Sequence, residues 1–193
     1  LERGVDEVET LLGVRASPGG RHQGRGTHNA LLALGPHTYL EIIAPDPEQR
    51  AITGPLWFDA DRVTAPRLVT WAANATELEN VVQQARQHGL DVGEVLPGKR
   101  TQADGVGFRW RYTDPLRQLA EGIVPFFIDW GDTPHPAKSA AQGPSLVGLR
   151  AEHTDPVAVG NMLQALSLDL PVTQGERALI ATIETTRGRI DLR

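Results

Sequence analysis

Apolar positions along this chain recur with two periods. Residues 1–13 place Val5, Val8, Leu11 and Leu12 at helical spacing, with Gly13 as a natural stop. Residues 75–89 do the same with Leu78, Val81, Val82 and Ala85, and Gly89 follows the last turn. A third helix is predicted over 156–166, capped by Asp155, with Pro156 at its first position. Short apolar or alternating runs predict strands over 31–34, 39–44, 67–73, 92–96, 106–112, 124–130, 146–151, 178–185 and 189–192, with another around Val172. Residues 14–21 predict a strand broken by Ser17-Pro18-Gly19-Gly20. Leu34-Gly35-Pro36-His37 and Arg187-Gly188 read as turns. Phe108, Trp110 and Tyr112 share one face of their strand, and Arg109 and Arg111 the other. Residues 46–66, 97–105 and 131–144 are turn-rich connections, the first anchored by Trp57 and Phe58.

The order strand, helix, strand, strand, strand runs through 67–130 and again through 146–193, and 1–44 shows it without the first strand. The closing strands align as Tyr39-Leu40-Glu41-Ile42, Phe127-Ile128-Asp129-Trp130 and Arg189-Ile190-Asp191-Leu192, each with an acid after an aliphatic residue. The fold class is therefore α+β, built of repeated βαβββ modules. The units fall at 1–66, 67–144 and 145–193, the last shorter. Each has one apolar sheet face for a helix, and the other must close on something or form a cavity.

Composition narrows the functions. A net charge of −5 argues against a nucleic-acid surface, and no apolar run nears the roughly 20 residues of a membrane span. Zero cysteines exclude disulfides and thiolate chemistry and suit a reducing cytoplasm. Any metal would be held by His, Asp, Glu or water, which favours Zn, Mn, Fe, Ni, Co or Mg. The partner expected is a small molecule, with no nucleic acid and no membrane, and the assembly a homodimer.

Glu41 stands in the apolar run Tyr39-Leu40-Glu41-Ile42-Ile43, where a carboxylate needs a partner, a metal or a wet cavity. Just before it, Gly20-Arg21-His22-Gln23-Gly24-Arg25-Gly26-Thr27-His28-Asn29 is a glycine-rich turn, with Gly24 and Gly26 able to let backbone N–H groups approach an anion. Together with Phe126-Phe127-Ile128-Asp129-Trp130-Gly131, these stretches resemble the glyoxalase-like domain proteins of the vicinal oxygen chelate superfamily. The resemblance implies paired modules whose curved mixed sheets form a cup, with helices outside. It implies a divalent metal held by first-strand and last-strand ligands. Carried over, the last-strand position is Glu41 in the first module and Asp129 in the second. The first-strand position of the first module falls before Leu1, and Leu68-Val69-Thr70-Trp71-Ala72 in the second offers no histidine or carboxylate.

Two functions follow from the resemblance. One is a metal-dependent enzyme of lyase, isomerase or dioxygenase type, with Glu41 and Asp129 catalytic and Glu41 a metal ligand. The other is a protein that sequesters a small molecule without chemistry. Two carboxylates facing one cup would repel unless a cation or a proton lay between them. His22, Thr27, His28, Asn29, Trp71, Arg109, Trp110 and Arg111 are the ligand-binding candidates. Thr27 and Asn29 share a face opposite His28, and one of those faces lines the cup. For an anionic ligand, Arg109 or Arg111 faces inward.

Overall fold

The computed structural model describes residues 1–49, 54–101 and 107–193. Parts of the predicted connections at 50–53 and 102–105, and the strand start at Val106, lie outside the described residues. In chain order the elements are α1 (Glu2–Leu12), β1 (Ser17–His22), β2 (Thr27–Gly35), β3 (Thr38–Pro45), β4 (Ala72–Asn74), α2 (Leu78–Gln87), β5 (Val95–Thr101), β6 (Gly107–Thr113), β7 (Phe126–Asp129), β8 (Ser145–His153), α3 (Pro156–Ala165), β9 (Val172–Gln174), β10 (Ala178–Thr185) and β11 (Gly188–Leu192). Among them no helix is long and apolar enough to cross a membrane.

The fold is α+β, as expected. One antiparallel sheet has the order β1-β2-β3, a second β4-β7-β6-β5, and a third β11-β10-β8-β9. The second and third segments share the succession strand, helix, strand, strand, strand, but they pair differently. In the second, the opening strand β4 lies parallel to the closing strand β7. In the third, β8 lies between β9, parallel, and β10, antiparallel. Similar succession along the chain has thus produced two pairing schemes.

Pleat alternation assigns the faces. On β2, Ala30, Leu32 and Leu34 pack against Val5, Val8 and Leu12 of α1, and Ala181 and Ile183 of β10 join the same core. Leu11, expected on that face, is exposed. The helix stops where Gly13 turns left-handed at φ 78°. Leu78, Val82 and Ala85 of α2 pack with Val159 and Leu163 of α3, Phe127 of β7 and Leu179 of β10. The helices lie outside the space between the first two sheets, as expected. The third sheet shares their buried faces, through Ala181 and Ile183 beside α1 and through Ala151 and Leu179 beside α2 and α3. That is the place of the third segment in the fold.

The other faces of the first two sheets meet through rings. Phe108, Trp110 and Tyr112 of β6, Ile128 and Trp130 pack with Trp57, Tyr39 and Ile43. Two local departures from the expected elements shape this layer. The strand read as ending at Leu96 continues to Thr101 as β5. It tolerates Pro97 because β5 is an edge strand, and Gly98 is required because the Trp110 indole lies over it. A Cβ at Gly98 would stand 2.2 Å from a Trp110 ring carbon. Conversely, the strand expected over 67–73 shrinks to β4. The Leu68 N–H bonds to the Arg193 carbonyl, and the Leu68 and Val69 carbonyls accept from the Arg177 guanidinium instead of a strand neighbour.

Because Ile183 of the third sheet is buried in the α1 core, Ile183→Ala is expected to cost about 2–4 kcal/mol. Urea unfolding followed by tryptophan fluorescence and by circular dichroism should shift as one transition. Two separated transitions, with only the later one keeping its wild-type midpoint, would contradict a shared core.

Candidate functional site

The site is built on a bulge. β1 runs through the predicted break at Ser17-Pro18-Gly19-Gly20, with its pairing to β2 slipping between Pro18 and Arg21. The Asn29 side chain lies over the slip. A Cβ at Gly19 would stand 2.0 Å from Asn29 Oδ1, so only glycine lets the amide lie there. The Gly20 N–H then donates to Asn29 Oδ1 at 2.8 Å.

Asn29 uses every hydrogen-bonding position it has. Its Oδ1 also accepts from Arg100 Nη1 at 3.3 Å. With two donors on Oδ1, Nδ2 is fixed as the donor end, and it donates to Glu41 Oε1 at 2.6 Å. Its second hydrogen faces His22 Nε2 at 3.4 Å. Asn29 and Glu41 lie diagonally across the β2–β3 ladder, where Asn29 pairs with Ile43 and Leu31 with Glu41, so both side chains rise from one face.

His22 completes the network as a neutral ring. Its Nδ1 lies 2.9 Å from the Thr27 hydroxyl and its Nε2 3.6 Å from Glu41 Oε1. With Nε2 accepting from Asn29, Nδ1–H donates to Thr27. Burial pushes the His22 pKa below its ordinary value, and Glu41 only partly opposes this. The ring leans on Trp57, with centroids 4.9 Å apart.

Arg100 arrives from the other sheet. Leu96, Gly98 and Arg100 of β5 stand opposite Tyr112, Trp110 and Phe108 of β6 and share their inward face. Arg100 is 3% exposed, and its guanidinium lies over the Phe108 ring at 4.8 Å. Burial lowers its pKa while Glu41 and Tyr39 pull it up. Among the described residues, its Nε and Nη2 have no hydrogen-bond partner, and neither do the buried indole nitrogens of Trp57 and Trp130. Burial raises the Tyr39 hydroxyl pKa, so it stays protonated at neutral pH.

The structure therefore gathers His22, Thr27, Asn29, Glu41 and Trp110 at the cup, with Thr27 and Asn29 on the inward face. Other expected residues lie elsewhere. Asp129 alternates with the inward Ile128 and Trp130, so it shares the helix side with Phe127. There it accepts from Arg111 Nη2 at 3.0 Å and the Gly131 N–H at 2.9 Å. The pairing of Glu41 with Asp129 across one cavity is thus corrected: aligning the acids by neighbour type put opposite pleat faces in register. Arg111 also binds Glu79 of α2 at 2.6 Å, and Arg109 is exposed on the same outward face, so neither arginine enters the cup. Trp71 donates its indole N–H to the Ile123 carbonyl at 2.8 Å and packs with the helix core. His28 is on the opposite face of β2, in the fields of Asp46 and Arg21. The glycine turn offers no free cradle at Gly24, whose N–H donates to Gln49 Oε1 at 3.0 Å.

Arg100 was the residue hidden from the sequence, behind Pro97-Gly98. The alternation Leu96, Gly98, Arg100 was the signal that could have found it.

A divalent ion at Glu41 does not fit the described residues. His22 Nε2 is its nearest ligand-type neighbour, and no group of three or more His, Asp or Glu that could hold a metal occurs among the described residues. The other groups turned to the network are N–H donors of Asn29 and a guanidinium, which repel a cation.

The chain is similar to solved structures at the level of fold. A hypothetical protein from Staphylococcus aureus superposes with a TM-score of 0.60 at 16% identity, over 92% of this chain and 75% of that one. No curated protein matches. A family model described as a glyoxalase-like domain matches residues 1–167, which take in both sheets of the cup and the first strand and helix of the third segment. The chain therefore belongs to the glyoxalase-like domain family.

Proposed function

We propose that this protein binds a small organic molecule in the cup between its first two sheets and moves a proton on it through Glu41. One observation carries this reading. Glu41 is rigidly positioned through Oε1 by Asn29, yet its side chain is 32% exposed on an otherwise aromatic wall. Among the described residues no donor reaches its Oε2. A carboxylate held by one oxygen and free at the other can take a proton from a carbon acid or return one to an enolate oxygen. The Thr27–His22 pair packs behind it and stays neutral, so it orients the network without adding charge. Tyr39, protonated beside Trp130, is a second hydrogen-bond donor on the same wall.

The rings favour a second reading, sequestration without chemistry. Trp110 and Trp130 lie 5.3 Å apart and Trp57 and Tyr112 5.5 Å, a wall suited to a flat ligand. Deuterium uptake from D2O into the α-carbons of small ketones and hydroxyketones, followed by proton NMR, separates the two. The wild type should exchange faster than buffer, and Glu41→Gln should lose about 10²–10⁴-fold of that rate. Equal rates in both proteins would remove the proton-transfer role and leave sequestration.

The neutral His22 also predicts an acid limit. Burial holds the pKa values of His22, His28 and His135 below the ordinary 6.5. The unfolded chain then binds more protons between the folded values and 6.5, so stability is full above 6.5 and lost as pH falls below it. The carboxylates held low, Asp46, Glu48 and Asp191, act in a separate and more acidic window. Melting temperature should drop from pH 7.5 to pH 5, and His22→Gln should flatten part of that slope. An unchanged slope in the variant would show that His22 is not buried neutral.

A further inference from the structure

We infer that the ligand of the cup carries a carboxylate, docked on the Nε–Nη2 edge of Arg100, and an aromatic body against the tryptophans. This rests on the cup being a binding site, and it adds the ligand's chemistry.

The two unpaired donors of Arg100 are on one edge of the guanidinium, where N–H bonds run parallel and match the two oxygens of a carboxylate. That edge is already held in place. Nη1 is tied to Asn29 Oδ1, and the plane is seated on the Phe108 ring. The bidentate geometry therefore needs little reorganisation when an oxyanion arrives.

This chain contains its own comparison. Arg177 is also partly buried, and its work is structural: Nε donates to the Glu121 carbonyl, Nη1 to that of Leu68 and Nη2 to that of Val69. A structural arginine here spends all three nitrogens on the backbone. Arg100, more deeply buried, spends one, on a side chain that already accepts from Gly20. Buried donors ordinarily have partners, and a buried cation above all.

The same layer holds two more unpartnered buried donors, the indole N–H groups of Trp57 and Trp130. A wall of donors and rings complements a flat ligand rich in acceptors: an aromatic acid, with a further keto or hydroxyl oxygen for an indole. Glu41 has the charge of the ligand, so it opposes binding rather than assisting it. The two charged residues of the network therefore affect affinity with opposite signs.

Three of the four tryptophans belong to the cup layer, so intrinsic fluorescence reads its occupancy. Benzoate and phenylpyruvate are titrated against benzamide and methyl phenylpyruvate. The carboxylates should bind at least about tenfold more tightly than their neutral counterparts. Arg100→Gln should weaken benzoate by about tenfold or more, and Glu41→Gln should tighten it severalfold. If Arg100→Gln fails to fold, the carboxylate-to-neutral ratio in the wild type and the sign of the Glu41→Gln effect still decide. Neutral compounds binding as well as the acids would overturn the carboxylate assignment while leaving a binding cup. No response to any of the four compounds would overturn the cup reading with it.

Discussion

The site depends on a single buried amide. Asn29 belongs to the first sheet, but its carbonyl oxygen receives Arg100 from the second, and its nitrogen holds Glu41 and faces His22. It stands between a buried cation and a carboxylate that have no direct contact. A fully bonded amide in a low-dielectric layer is held stiffly, and removing it leaves its partners unsatisfied. The sequence invests in it accordingly. Gly19 makes room for the amide, Gly20 supplies a donor, and Gly98 lets Trp110 lie flat over β5.

Around that amide the fold is layered. Two sheets face each other through rings, helices pack on their backs, and the third sheet shares the helix cores. On the helix side Arg111 pairs with both Asp129 and Glu79. The inward face keeps donors that the described residues do not use.

Much of the fold was legible because it follows from periodicity. The helices α1 and α2 and the two faces of β6 came directly from apolar spacing, and α3 from its Asp155 cap and Pro156. Glu41 stood out because an acid in an apolar strand needs a reason, and alternation put Thr27 and Asn29 on one face opposite His28 without saying which face turns inward. What failed had physical causes. Asp129 was matched to Glu41 by neighbouring residue types, and one position of slip reverses a face. Arg109 and Arg111 occupied the strand with the obvious rings, whereas the inward arginine came from the partner strand, disguised by a proline and a glycine. Pairing in the third sheet was not legible at all, since the order of elements does not specify which strands become neighbours.

The measurement that bears most directly on this account is hydrogen exchange at the Asn29 side-chain amide, followed by 15N NMR. Four satisfied hydrogen bonds and near-complete burial predict two well-separated proton resonances that exchange slowly with solvent. Glu41→Gln should speed the exchange of one of them. Rapid exchange with shifts typical of a surface asparagine would mean that the amide does not bridge Arg100 and Glu41, and the site would lose its organising interaction.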